Sequence, residues 1–104
     1  MERTNCTPIS IKSKTPTGRV QTFFTSGTIM PSEEDKFMIC LEASKRDIQI
    51  GKRNIVVGCT VNTLDRTYEV SEVYSLKRIV LLAKETPANA LYCSELKAHL
   101  ATGL

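Results

Sequence analysis

The sequence predicts a mainly β domain of the α+β kind, a small curled antiparallel sheet or β-barrel of about six strands with one carboxy-terminal helix. Three observations lead to this fold class. Short β-branched runs alternate with turn residues between positions 46 and 84, an alternating apolar run lies near the amino terminus, and a leucine-containing segment at helical spacing follows Thr86-Pro87. The order strands, then helix, predicts a sheet with the helix packed on it.

The region 46–84 has the pattern of a β-meander. Its apolar runs lie at residues 48–50, 55–61, 68–73 and 79–82, and each is followed by polar or glycine-containing residues. Gly58 interrupts the second run, and Val73 falls out of phase with the alternation that begins at Tyr68. The glycine indicates a bulge, a close approach of the backbone or a division of the run into two short pieces, and the phase slip indicates a bulge. Bends of this kind help a small sheet to curl into a barrel.

A hairpin is predicted before the meander. Ile9 and Ile11 alternate with polar residues, as in a half-buried strand, and residues 15–18 contain the proline and glycine of a tight turn. Residues 19–25 should return as the second strand. Ser26-Gly27 is expected to end that strand, with residues 28–30 resuming it before Pro31.

Residues 32–44 have two interpretations. Ser32 and Asp35, together with Glu33 and Glu34, resemble the start of a helix, because a capping side chain and acidic residues favour that position. Residues 37–41 form a continuous apolar run of strand length. Because strands are predicted on both sides, we expect a turn followed by a buried strand.

The carboxy-terminal helix is predicted over residues 87–102, with Thr86 as its cap and Pro87 in its first turn. Its apolar stripe consists of Leu91, Tyr92, Leu96 and Leu100. That stripe either packs on the barrel or docks on a neighbouring subunit, and we expect the first. Because residues 79–82 are apolar on both faces of their strand, the helix is expected to cover their outer face.

A chain of 104 residues fits a single domain, predicted over residues 8–104 after an amino-terminal arm at 1–7. No run approaches the roughly 20 apolar residues of a membrane helix. The first residues also lack the pattern of a secretory signal. We therefore expect a cytoplasmic protein that does not interact with membranes.

The residue types needed for catalysis or metal binding do not cluster in this sequence. The four cysteines lie at positions 6, 40, 59 and 93, without the close pairs of a structural zinc site. His99 is the single histidine, which makes it a poor candidate for catalysis. We expect free thiols, no metal, no cofactor and no enzymatic activity.

The excess positive charge belongs to the meander. The chain has a formal charge of +3, and residues 45–84 hold eight basic against four acidic side chains. Such turns are either solvated tips that protect strand edges, which we favour, or a surface for an acidic protein or a phosphate backbone. The candidate partner-binding residues on these turns are Lys45, Arg46, Lys52, Arg53, Arg66, Lys77 and Arg78.

One resemblance suggests a function. The segments 65–73 (DRTYEVSEV) and 78–85 (RIVLLAKE) resemble the last two strands of small head-closure or head-to-tail connector proteins of tailed bacteriophages, and residues 9–12 are similar to their first strand. This resemblance implies a virion structural protein that forms an oligomeric ring, with contacts through the first seven residues and the basic turns. Under this interpretation the location would be the virion rather than the cytoplasm.

The sequence therefore predicts a non-enzymatic structural or assembly protein that acts through protein–protein contacts, as a homo-oligomer or within a larger assembly. The alternative is a small barrel that binds nucleic acid or an acidic partner through Lys52, Arg53, Arg66, Lys77 and Arg78. Few aromatic residues are interleaved with those basic residues, which makes base stacking less favourable. A phage-encoded inhibitor of a host protein is a third interpretation.

Overall fold

The chain forms a closed antiparallel β-barrel with one helix on its outside, as seen in a computed structural model. The structure describes residues 6–14, 17–42, 55, 57–75 and 79–102. Within them the elements are β1 (Thr7–Lys14), β2 (Val20–Pro31), β3 (Lys36–Glu42), β4 (Thr60–Asn62), β5 (Thr67–Ser75), β6 (Ile79–Thr86) and α1 (Ala90–Thr102). The predicted fold class is confirmed. Of the predicted arm, only Cys6 and Thr7 are described, and Thr7 already belongs to β1.

The barrel is made of two three-stranded meanders joined at two seams. The strand order around it is β1-β2-β3-β6-β5-β4, so β1–β2–β3 is one meander and β4–β5–β6 is the other. β3 pairs with β6 at one seam, and β4 pairs with β1 at the other. Closure pairs the strand edges that an open sheet would leave exposed.

Alternation along the strands fills the barrel interior. Because successive side chains in a strand point to opposite faces, every second residue faces inward. The fully or nearly fully buried inward side chains include Ile9, Ile11, Ile39, Leu41, Val61, Val70 and Leu81. Phe37 packs edge-on against Tyr68, with ring centroids 5.2 Å apart. The β-branched and leucine residues on which the strand predictions were based therefore pack into one core.

The second strand of the hairpin is longer than predicted. β2 runs without interruption from Val20 to Pro31, so the expected break at Ser26-Gly27 is wrong. Gly27 pairs with Thr7 on one side and with Leu41 on the other, and this pairing holds it in extended conformation. A Cβ atom at Gly27 would overlap the carbonyl oxygen of Cys40, so the glycine allows close approach of β2 and β3.

Residues 36–42 form a strand, which confirms the turn-and-strand interpretation of this segment; the helix alternative is wrong. Ser32 donates a backbone hydrogen bond to Lys36, and Lys36 donates one to Glu33. Glu34 adopts a φ of 55°, which closes the tight turn. Residues 43 and 44 lie outside the described part of the chain.

Three of the four apolar runs predicted for the meander contribute to strands, with changed limits. Runs 68–73 and 79–82 lie in β5 and β6, whereas run 55–61 contributes only the short β4. Gly58 adopts a φ of +95° in a turn, and the phase slip before Val73 is a bulge between Val70 and Glu72. The predicted strand at 48–50 lies outside the described residues.

Helix α1 begins later than predicted. Asn89 caps it by accepting a hydrogen bond at Oδ1 from the Tyr92 amide at 3.1 Å. Thr86, the expected cap, belongs to β6, and its hydroxyl donates to the Thr67 carbonyl oxygen at 3.4 Å. No helix in the described ranges is long and apolar enough to cross a membrane.

The helical stripe is also shifted from the predicted one. Cys93 and Leu96 are the buried residues of α1, whereas 67% of the Leu91 side chain surface is exposed. Leu100 is also exposed, at 42%, so the prediction that Leu91 and Leu100 pack against the barrel is wrong, whereas Leu96 is buried as predicted. The helix packs against β1 and β4 instead of covering β6.

We expect Gly27→Ala to destabilise the barrel by about 1–3 kcal/mol, because its methyl group would push β2 away from the Cys40 backbone. Urea unfolding followed by circular dichroism measures the change. Ser26→Ala, at the neighbouring position, is the matched control and should shift the midpoint much less. An unchanged midpoint for Gly27→Ala would show that β2 and β3 are not packed this closely.

Candidate docking surface

The outer surface of the barrel has two walls of opposite composition. Strand alternation defines which side chains point outward, and cross-strand pairing defines which of them are neighbours. The covered wall, beneath α1, consists of Ser10, Lys12, Thr60, Asn62 and Thr67. The open wall, on the other side of the barrel, consists of Met30, Met38, Cys40, Val80, Leu82 and Tyr74.

The covered wall is polar although it is buried. Ser10 pairs with Asn62, which pairs with Thr67, and in the next row Lys12 pairs with Thr60. Ser10 and Asn62 have no exposed surface, and Lys12 is 6% exposed. Side chains of this kind are typical of a solvent-facing sheet surface, so their burial needs a specific set of partners.

Some of those partners are present. Thr67 donates its hydroxyl to Asn62 Oδ1 at 2.8 Å and accepts a hydrogen bond from the Asn89 amide at 2.8 Å. Among the described residues, however, Ser10 Oγ, Thr60 Oγ1 and Asn62 Nδ2 are buried without a hydrogen-bond partner. Each unpaired buried group costs about 1–3 kcal/mol, so covering this wall carries an energetic penalty.

Charged and aromatic contacts hold the helix in place. Lys12 Nζ lies 2.7 Å from Glu95 Oε1 of α1 and donates to Thr22 Oγ1 at 2.6 Å. The same ammonium group lies 4.9 Å from the centre of the Tyr92 ring. The rings of His99 and Phe24 stack with centroids 3.8 Å apart, which fixes the last part of the helix to β2.

The open wall is apolar and exposed. In one row, Met38 of β3 lies between Met30 of β2 and Leu82 of β6; these two pairings place the three side chains side by side. In the next row, Cys40, Val80 and Tyr74 are neighbours in the same way. Met30 and Tyr74 are each 45% exposed and Met38 is 37% exposed, while the other three residues are partly exposed. This wall spans the β3–β6 seam.

Charged residues flank the open wall in the part of the chain that the structure describes. The Tyr74 hydroxyl donates to Glu72 Oε1 at 2.6 Å, and this hydrogen bond raises the pKa of Tyr74 above its ordinary value. Cross-strand pairing places the Tyr74 ring beside Val80. Of the described residues, Glu33, Glu34 and Asp35 lie in the β2–β3 turn, Glu42 and Glu72 lie on strands of the wall, and Lys36 and Lys84 are paired beside it. Lys84 pairs with Asp35 at 3.5 Å.

Of the candidate residues on basic turns, the described part of the chain contains only Arg66. It lies in the β4–β5 turn, hydrogen-bonded to Tyr68, with its guanidinium 3.9 Å from Glu85 Oε1. The hydrogen bond to Tyr68 and the Glu85 charge raise the pKa of Arg66, whereas burial raises that of Tyr68. Lys45, Arg46, Lys52, Arg53, Lys77 and Arg78 lie outside the described residues, so their role stays a prediction.

A cleft of about 570 Å³ lies beside Arg66 at one end of the barrel. Ile29, Phe37, Leu64 and Tyr68 give it a mainly apolar lining, and Lys97 of α1 stands at its edge. None of the four cysteines forms a disulfide. No group of three or more His, Cys, Asp or Glu side chains in the described ranges is arranged to bind a metal ion.

The sequence contained one signal for the open wall. Val80 and Leu82 were expected to need a cover because their strand is apolar on both faces, and the cover was expected to be the carboxy-terminal helix. That assignment is wrong, since α1 lies over β1 and β4. The sequence did not predict that Met30, Met38 and Tyr74 lie close together, because their proximity depends on the pairing of β3 with β6.

Substitutions of the two partners in the Lys12–Glu95 contact should have unequal effects on stability. Glu95→Gln should destabilise the protein by about 1–3 kcal/mol, since it leaves a buried ammonium group without its counter-charge. Lys12→Met should be nearly neutral or stabilising, because it removes the buried charge itself. Thermal unfolding of both variants tests this. Equal destabilisation by the two substitutions would contradict the asymmetry.

The two walls define the candidate site. The covered wall holds the helix, and the open wall presents apolar side chains outward across four strands. An exposed apolar surface with a polar edge is the form of a protein-docking site. Comparison of the chain with protein-family models, with curated proteins and with solved structures finds no match.

Proposed function

We propose that this chain is a non-enzymatic structural subunit that assembles with other protein subunits, foremost copies of itself, through the open wall. The observation that carries the proposal is the inverted arrangement of the two walls. The polar wall is buried under a helix at a cost in unpaired polar groups, while the apolar wall is exposed. In an isolated monomer the opposite arrangement would be more favourable.

The dimensions of the open wall fit the centre of an interface. Three of its side chains, Met30, Met38 and Tyr74, are more than a third exposed, and contiguous apolar patches of a few hundred Å², on the order of 300–600 Å², are often functional. A standard interface buries about 800 Å² on each partner and has a polar rim around an apolar centre. The charged residues beside the wall, among them Glu72 and the Lys84–Asp35 pair, would supply that rim.

The resemblance to head-closure and connector proteins supports a virion setting. The segments that carry it form β5 and β6, and they contribute both to the core and to the open wall. Tyr68 and Val70 are buried inside the barrel, while Tyr74 and Leu82 point outward. A connector subunit needs this combination, a rigid barrel with an outer surface that joins neighbours. The amino-terminal arm and the basic turns would add further contacts.

Met38→Glu should weaken assembly without unfolding the barrel. Its side chain is 37% exposed, so the folded monomer can accommodate a carboxylate, whereas a charge buried in an apolar interface is unfavourable. We expect at least a tenfold weaker association constant by sedimentation velocity over a concentration series. Leu64→Glu is the matched control, since Leu64 is also 37% exposed but lies in the β4–β5 turn.

The control variant should assemble as the unmodified protein does, and both variants should keep its circular dichroism spectrum. A protein that stays monomeric throughout the series, or equal association of Met38→Glu and the unmodified chain, would refute assembly through the open wall. Electron microscopy of the assembled protein tests the virion setting. We expect closed rings, and amorphous or irregular particles would contradict a connector role.

A further inference from the structure

We propose that the cleft beside Arg66 is a binding site for a small molecule with an apolar body and a single carboxylate group. We call this opening the mouth cleft, because it lies where the barrel interior meets solvent. Its volume is about 570 Å³, and its lining includes Ile29, Phe37, Leu64, Arg66, Tyr68 and Lys97. Small-molecule sites have volumes of roughly 300–1,000 Å³ and occur in the mouths of β-barrels. The mouth cleft shares no residue with the open wall, so this proposal goes beyond assembly.

The floor of the mouth cleft is the last layer of the barrel interior. Inward positions alternate along each strand, so Phe37 is the first inward side chain of β3 and Tyr68 is the first of β5. Pro31, the partner of Phe37, is the last residue of β2. Ile29 and Phe37 pack against the core but are only partly buried. The apolar surface of the core therefore continues into the mouth cleft, where a ligand can cover it.

The β4–β5 turn forms one side of the mouth cleft, and hydrogen bonds hold it in a fixed shape. The Thr63 amide donates to the Arg66 carbonyl oxygen at 2.8 Å, and the Thr63 hydroxyl oxygen accepts from the Arg66 amide at 2.9 Å. The same hydroxyl oxygen accepts from the Asp65 amide at 3.3 Å. This turn places Leu64 and Arg66 in the lining. A side that is already formed reduces the entropy lost when a ligand binds.

The described lining carries one net positive charge. Arg66 and Lys97 are its cations and Asp65 is its anion. Glu85 lies 3.9 Å from Arg66 outside the lining, and since both side chains are about half exposed, solvent weakens this pair. A ligand carboxylate can therefore replace Glu85 as the partner of Arg66 at little cost.

The charged residues outside the described ranges leave this count unchanged. Residues 1–5, which precede Cys6 at this end of the barrel, contain one acidic and one basic side chain. β3 ends at Glu42 and β5 ends at Ser75, both running away from the mouth cleft. The basic segments that follow these two strands therefore begin towards the opposite end of the barrel.

The charge and the lining together define the ligand class. A guanidinium group binds a carboxylate through two parallel N–H donors, and the Tyr68 hydroxyl interacts with Arg66 beside it. Tyr68 is 2% exposed, so packing fixes this polar group at the base of the mouth cleft. One net positive charge suits a monoanion better than a multiply charged phosphate. The apolar floor suits an aliphatic or aromatic body.

Decanoate, titrated calorimetrically below its micelle concentration, is the probe for this site. We expect one saturable site per chain, and binding of decylamine about tenfold weaker, because its charge is opposite on the same apolar chain. Leu64→Glu should weaken decanoate binding about tenfold, since it adds a carboxylate to the lining. Arg66→Gln should weaken it about fivefold. Lys84→Gln is the matched control, because Lys84 is 62% exposed but lies outside the lining.

A fatty acid could also bind the open wall, and the variants separate the two locations. Met38→Glu should bind decanoate as the unmodified chain does. Weaker binding by Met38→Glu with unchanged binding by Leu64→Glu would place the probe on the open wall and overturn the inference. Equal binding of decanoate and decylamine, or no saturable binding, would also overturn it. None of these results changes the sedimentation test of assembly. Lys97→Gln replaces Arg66→Gln if circular dichroism shows that the latter misfolds.

Discussion

Closure of the sheet at the β4–β1 seam is the constraint on which the rest of the structure depends. β4 has three residues, and these pair with β1 on one side and with β5 on the other. Loss of this short strand would expose the edges of both neighbours, and unpaired edges are sites of non-native association. Closure also sets the alternation, so it decides which side chains form the core and which form the two walls.

The position of α1 follows from this weak point. The helix is bound to β1 through Lys12 and Glu95, and to β5 through the Asn89 amide and the Thr67 hydroxyl. It therefore spans β4 and ties together the two strands that β4 bridges. Stabilisation of the seam offsets the penalty of burying Ser10 and Asn62 with incomplete hydrogen bonding. The helix covers a polar wall because its contacts there stabilise the short β4–β1 seam.

Local features of this fold could be predicted from sequence, and long-range ones could not. The strands around Ile9 and Tyr68 follow from alternation, and the bulge before Val73 follows from a slip in that alternation. Gly27 was misassigned because its pairing with Thr7 and Leu41 overrides its local tendency to break a strand. Thr86 and Asn89 are both good caps, and the choice between them was made by the pairing of Thr86 with Thr67. The composition of the two walls depends on which strands pair at the seams. The periodicity of the sequence does not determine that pairing.

The exposure of the open wall is a geometric consequence of where the helix is needed. A helix of 13 residues is about 20 Å long, enough to cover one seam of a barrel but not the seam across from it. Because α1 is committed to the β4–β1 seam, the apolar side chains over the β3–β6 seam have no cover from this helix. Their burial would release apolar surface from water without disturbing the contacts of α1. This is the contact through which the proposed assembly would form.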